Sequence, residues 1–371
     1  MNCFICNKTL TDANASDEHI ILNSLGGRLH SKVLLCKECN NKMGKQADAA
    51  LSETLKFAAS QLDVKRYRGE NQVIQTADGE TYDMAPSCKP VLKKPAMEAE
   101  KQPDGSVKVE MSARSRQEAR KMLKSLQKKY PAIDIDAIMA NEQIKKEFIG
   151  TPIKMQVKFD DKMIFPSITK TALEFYLERG GERSQIAHLI PYLLEKEEVS
   201  VCWYYYPEQP VVSLASDEIC HVICVTGNAQ ESILYGYVDL FGILQCLVLL
   251  NDHYTGIDFS ENYVYEVNQV KEVPKTVSLR LPRSEISRIT QGKENTWTEG
   301  LKRQMILFQQ KAGEINKKRI LDTMWERALD NSLKKYPEGI PITEEMMAEF
   351  IKELEKEIIP WYVSRICGED L

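Results

Sequence analysis

The chain has 371 residues, with 49 Lys+Arg against 54 Asp+Glu for a formal net charge of −5, and 43 % of its residues are hydrophobic. That length favours two or three compact units, and the apolar content excludes wholesale disorder. Mild acidity excludes a uniformly basic coat for nucleic acid but leaves room for a local basic patch.

The N-terminus, Met1-Asn2-Cys3-Phe4, lacks the charged and then apolar leader of a secretory signal. The one long apolar run, Ser232 to Leu250, is interrupted by Asp239, Gln245 and two glycines, which suits buried strands with a bend better than a membrane span. A cytoplasmic, membrane-free protein is expected, in which well-spaced members of the ten cysteines serve metal ligation sooner than disulfides.

In chain order, residues 1 to about 60 hold four of the ten cysteines and two of the five histidines. Helical spacing over Gln46–Leu62 closes this part, with Leu51, Leu55, Phe57 and Ala58 among its apolar positions. From about 65 to 110 come short strand-like pieces with turn signals at Asp78-Gly79 and Pro103-Asp104-Gly105. The two prolines and few large apolar residues of Ser87–Gln102 suggest an exposed loop. Residues 112–129 carry seven Lys/Arg against one Glu, a helix with Met122, Leu123 and Leu126 on one side.

Ile168–Leu194 reads as helix, Gly180-Gly181, helix, and residues 199–270 as strands that form the largest core. A long helix from Trp297 to about Lys335 follows, basic at Lys317, Lys318 and Arg319. The last helix starts on Thr343, a good N-cap followed by Glu344 and Glu345, and is expected to end before Pro360. The predicted fold class is α+β: a small N-terminal zinc unit, then a larger mixed α+β domain with C-terminal helices. The domains expected are 1–62, a β-rich piece and basic helical connector over 63–160, and an accessory domain over 161–371.

The strongest chemical signal is Cys3-x-x-Cys6 with Cys36-x-x-Cys39, 29 residues lying between the pairs. Two thiolate pairs at this interval each clamp one side of a tetrahedral ion, and four thiolates leave no open position, so the reading is a structural zinc. Cys220 and Cys224 lie in an apolar strand run and read as core; Cys88, Cys202, Cys246 and Cys367 have no spacing partners. His188, His221 and His253 read as structural.

Between and after the pairs stand Asp17-Glu18-His19-Ile20-Ile21, Leu25-Gly26-Gly27 and Cys39-Asn40-Asn41-Lys42-Met43-Gly44. Taken with the cysteines, this order resembles the zinc-bearing branch of the HNH (ββα-metal) endonucleases over residues 1–50. The resemblance implies a hairpin carrying the acid-His step and a helix starting at the second cysteine pair. It makes His19 the general base, and Glu18 with Asn40 the ligands of a catalytic Mg²⁺ or Mn²⁺; Asp17 is the rival carboxylate and Asn41 the rival amide. Ser31 stands where the family carries an Asn that orients the His, so Ser31, His30 or a backbone carbonyl would hold the imidazole. Leu22 replaces a common proline.

The chemistry suits those residue types, because a neutral imidazole can take a water's proton and a hard cation can offset charge at a phosphodiester. DNA is the implied partner, and antiphage or mobile-element defence the implied setting. A 50-residue nuclease unit needs help to hold DNA, and Arg114, Arg116, Arg120, Lys121 and Lys124 are the best sources of phosphate contacts, a solvated helix face being the other reading of them. The accessory domain would serve a homodimer or a partner protein. The alternative function is a catalytically decayed, zinc-stabilised DNA-binding or adaptor protein.

Overall fold

A computed structural model describes residues 1–43, 47–64, 72–76, 81–85, 89–92, 96–102, 107–113, 115–131, 133–140, 153–154, 157–292, 297–337 and 339–369. In chain order the first elements are β1 (Glu18–His19), β2 (His30–Ser31), α1 (Lys37–Met43), α2 (Ala47–Thr54) and α3 (Lys56–Gln61). β3 (Gln72–Thr76), β4 (Thr81–Ala85), β5 (Lys89–Leu92), β6 (Ala96–Lys101), β7 (Val107–Ser112), α4 (Arg116–Gln127), α5 (Ile135–Ala140) and β8 (Ile153–Lys154) come next. Then follow α6 (Asp161–Glu178), α7 (Ile190–Leu193), β9 (Cys202–Tyr204), β10 (Cys220–Asn228), β11 (Ile233–Leu240), β12 (Leu244–Asn251), β13 (Phe259–Glu266) and β14 (Lys271–Glu272). Helices α8 (Arg283–Thr290), α9 (Trp297–Leu333) and α10 (Glu344–Glu369) close the chain. The fold is mixed α+β, with the cysteine-bearing segment at its N-terminal end and helices at the other.

By contact the chain divides into two units: residues 1–69 with 157–318, and residues 70–156 with 319–371. In the first, six antiparallel strands run in the order β14-β13-β10-β11-β12-β9. β11 and β12 account for the apolar run at 232–250, and their hairpin turns at Phe241 and Gly242, both with positive φ. Asp239 fastens this turn, accepting from Gly242 N at 2.8 Å and from Gln245 Nε2 at 3.1 Å. The thiols of Cys202 and Cys246, unpartnered by spacing, meet between the paired strands β9 and β12.

Helix α6 lies on this sheet and is buried on all sides from Ser167 to Tyr176. Gly236 permits the close approach, since a Cβ there would stand 3.0 Å from the Ala172 methyl. A helix enclosed on every side needs neighbours on every side. The sheet supplies one side, and α2 of the N-terminal segment packs on another. Beyond Gly180-Gly181 the expected second helix is two 3-10 turns and the single turn α7, Pro191 at its start.

In the second unit β5-β4-β3-β8 form one sheet and β6-β7 a hairpin. The loop expected over Ser87–Gln102 thus contains β5 and β6: its short polar-apolar alternations pair with β4 and β7. The signals Asp78-Gly79 and Pro103-Asp104-Gly105 lie outside the described residues. Helix α4 begins on Ser115, whose Oγ accepts from Glu118 N at 3.2 Å, and buries Leu123 and Leu126. Thr343 caps α10 as expected, with Met346 N at 3.2 Å from its Oγ1. That helix continues through Pro360, against expectation, the turns on either side carrying it past the backbone bond that the proline removes. No described helix is long and apolar enough to cross a membrane.

Candidate active site

The first cysteine pair sits in a tight turn in which Asn7 N donates to Cys3 O at 2.9 Å, Asn7 having a positive φ of 59°. The second pair opens α1. Phe4 N donates to Leu34 O at 3.0 Å and Ala15 pairs with Cys36, so backbone bonds draw the two pairs together. All four Sγ atoms lie within 4.8 Å of one another, and Cys6 and Cys36 are 3.8 Å apart. Four thiolates held about 2.3 Å from a tetrahedral ion stand about 3.8 Å apart, so the donor set fits zinc. Among the described residues these four thiols form a group placed to hold a metal ion.

β1 and β2 form a two-rung antiparallel ribbon with His19 opposite His30 and Glu18 opposite Ser31. The connection turns at Leu25-Gly26-Gly27. Gly26 adopts φ 91°, and a Cβ on Gly27 would stand 2.1 Å from Ile21 O, so only glycine fits there. Side chains alternate along a strand, so Asp17 and His19 face one way and Glu18 the other.

On the outer face, His19 is half-buried, and its ring centroid is 5.7 Å from that of His30. The exposed His30 and Asp17 pair through Nδ1 and Oδ1 at 2.6 Å. Burial, followed by the nearby His30 charge, lowers the His19 pKa below the ordinary histidine value, which favours the neutral imidazole. The His30 hydrogen bond lowers the Asp17 pKa. Among the described residues no hydrogen bond orients the His19 ring. Ser31 Oγ instead accepts from Val33 N at 3.3 Å.

On the inner face, Glu18 is 3 % exposed and its Oε1 lies 2.6 Å from Lys170 Nζ of α6. The same ammonium is 2.7 Å from Asp48 Oδ2 of α2, whose Oδ1 accepts from Ser167 Oγ at 2.5 Å. Burial raises the Glu18 pKa, against the pull of Lys170. Burial also opposes the lysine charge, but Glu174, Asp48 and Glu18 outweigh it and hold Lys170 charged. Glu174 is wholly buried, neither oxygen having a hydrogen-bond partner among the described residues, and burial raises its pKa well above the usual range. Next along β1, Thr171 Oγ1 donates to Ile20 O at 2.9 Å.

Asn40 lies in the first turn of α1, half-buried, its Nδ2 donating to Ser16 Oγ at 2.6 Å beside Asp17. The hairpin and α1 therefore bring Asn40 to the Asp17 end of β1, while Glu18 turns into the interior. Of the basic set, Arg116, Arg120, Lys121 and Lys124 are exposed on α4, Arg120 pairing with Asp136 at 3.0 Å. Arg114 lies outside the described residues. Sequence reasoning passed over Asp48, Ser167, Lys170 and Thr171. The signal that could have found them is a lysine between two threonines in an otherwise apolar helix, because such groups must find buried partners.

Elsewhere, His221 is fully buried and its Nε2 donates to Leu25 O at 2.9 Å, while Arg183 Nε donates to Phe4 O at 2.7 Å. Both bonds tie the cysteine-bearing segment to the six-stranded sheet and its helices. No curated protein and no solved structure matches the chain. The cysteine cluster, the ribbon and α1 coincide with residues 3–56, and this segment matches the model of the family described as HNH endonuclease.

Proposed function

We propose that the chain is a divalent-metal-dependent endonuclease that hydrolyses DNA, with His19 as the general base. The observation that supports this best is the half-buried imidazole of His19 beside the Asp17–His30 pair, on a ribbon next to a cluster of four cysteines. The zinc is structural, since four thiolates would leave it no open position.

Asn40 and Asp17 would hold the catalytic ion, Asp17 being the solvent-facing carboxylate; Glu18, the acid to which the resemblance gives that role, is instead enclosed with Lys170. One carboxylate and one amide oxygen, with waters, suit Mg²⁺ or Mn²⁺, which when bound would offset charge on the scissile phosphate and leaving oxygen. His19 takes the proton of the attacking water at a ring nitrogen. The Asp17–His30 bond fixes the neighbouring ring, so the face around His19 is ordered before substrate arrives. Arg116, Arg120, Lys121 and Lys124 would add phosphate contacts that carry no sequence information. A setting in antiphage or mobile-element defence follows from the family resemblance alone.

A decayed nuclease acting as a DNA-binding adaptor is the competing reading, favoured by the unbonded His19 ring. Plasmid cleavage with Mg²⁺ or Mn²⁺, by the wild type and by His19→Ala, separates them. The nuclease reading expects metal-dependent cleavage that falls by two orders of magnitude or more in the variant, the scale of lost general-base catalysis. Equal rates from the two proteins remove His19 from the mechanism, and DNA binding without cleavage by either supports the adaptor.

A further inference from the structure

We propose that α6 is a wall of the nuclease centre, with Thr171 and Lys170 acting as positioning residues for His19. This rests on the nuclease reading of His19. β1 is two residues long and its ladder has two rungs, and a ribbon that short does not hold itself in water. The His19 ring has no hydrogen bond of its own among the described residues, so the backbone must set its place.

That backbone is gripped on both sides of residue 19. Ahead of it, Glu18 Oε1 meets Lys170 Nζ at 2.6 Å; behind it, Ile20 O accepts from Thr171 Oγ1 at 2.9 Å. Both grips come from successive residues of one buried helix, one on the Glu18 side chain opposite the imidazole and one on the backbone carbonyl that follows it. The lysine also meets Asp48 of α2 at 2.7 Å, so strand and helix of the N-terminal segment are referred to one point. A displacement of about 1 Å at a reacting group costs on the order of a hundredfold in rate, so a hydroxyl that fixes the adjoining carbonyl bears directly on turnover.

Removing Lys170 outright strands two buried carboxylates, and such a protein is prone not to fold. Thr171→Val therefore carries the test in the full chain: it keeps the branched shape and removes only the hydroxyl, while Thr171→Ser keeps the hydroxyl. Both variants should retain zinc and a cooperative melt. The valine variant should lose about tenfold or more in kcat for plasmid DNA with KM unchanged, and the serine variant should recover it. In protein labelled with ¹⁵N at its five histidines, the His19 ring signals should move in Thr171→Val and return in Thr171→Ser.

A valine variant with wild-type kcat and unmoved His19 signals overturns the proposal. So does a loss that serine fails to recover, which would make Thr171 a packing residue only. Should the wild type itself not cleave DNA, the nuclease reading fails, and the ring signals still decide whether α6 positions His19.

Discussion

His19 and His221 occupy opposite regimes of burial, and each has a pH signature. Burial and the neighbouring His30 depress the His19 pKa, which favours the neutral imidazole that the proposed base needs. Cleavage should therefore fall with a slope of one as pH drops through a midpoint below the ordinary histidine value of 6.5, read from kcat/KM against pH; a midpoint above that value would contradict the assignment. His221 is fully buried, and burial lowers its pKa from 6.5 to about 4. Above pH 6.5 both folded and unfolded chains hold it neutral; between 6.5 and about 4 the unfolded chain takes the proton first. Acidification through that window should cost about 3 kcal/mol of stability, in urea unfolding, and His221→Gln should show a smaller loss. The cysteine set was legible in sequence because its signal is local, a fixed interval repeated twice. Which neighbouring acid faces solvent was not legible, because it depends on the phase of a two-residue strand.

Among the elements, the β1–β2 ribbon hangs on its turn. Gly27→Ala forces a methyl onto Ile21 O and should lower the melting temperature by several degrees and weaken zinc retention, measured by thermal melts and metal analysis. Helix α4 presents Arg116, Arg120 and Lys124 to solvent over a buried Leu123–Leu126 seam. If those charges meet phosphates, replacing all three by Ala should reduce the slope of log Kobs against log salt by roughly 3 in a binding titration. An unchanged slope would leave them a solvated face. The helix and strand types were largely readable from periodicity, and the start of α10 from its cap at Thr343. The strands β5 and β6 were missed because pairing with β4 and β7 outweighs their local composition.

At the scale of the whole molecule, the cysteine-bearing segment and residues 157–318 form one unit, bonded through Lys170, Thr171, Arg183 and His221. Sequence could not show this, because those contacts join residues more than a hundred positions apart and no spacing rule spans them. Zinc removal should therefore be felt beyond the segment that binds it: chelation of the metal, or Cys36→Ser, should lower the melting temperature of the full chain and not merely loosen its first 60 residues. Hydrogen exchange on α6 after chelation checks this, faster exchange over Ser167–Tyr176 being the expected result. In the proposed reaction the ring at position 19 takes a proton from water. Chemical rescue tests this most directly: His19→Gly should be inactive on DNA with Mg²⁺ or Mn²⁺ and should regain cleavage as free imidazole is added, following the concentration of its neutral form. Cleavage by the glycine variant at the wild-type rate, or wild-type cleavage with no rescue of the variant at any imidazole concentration, would contradict it.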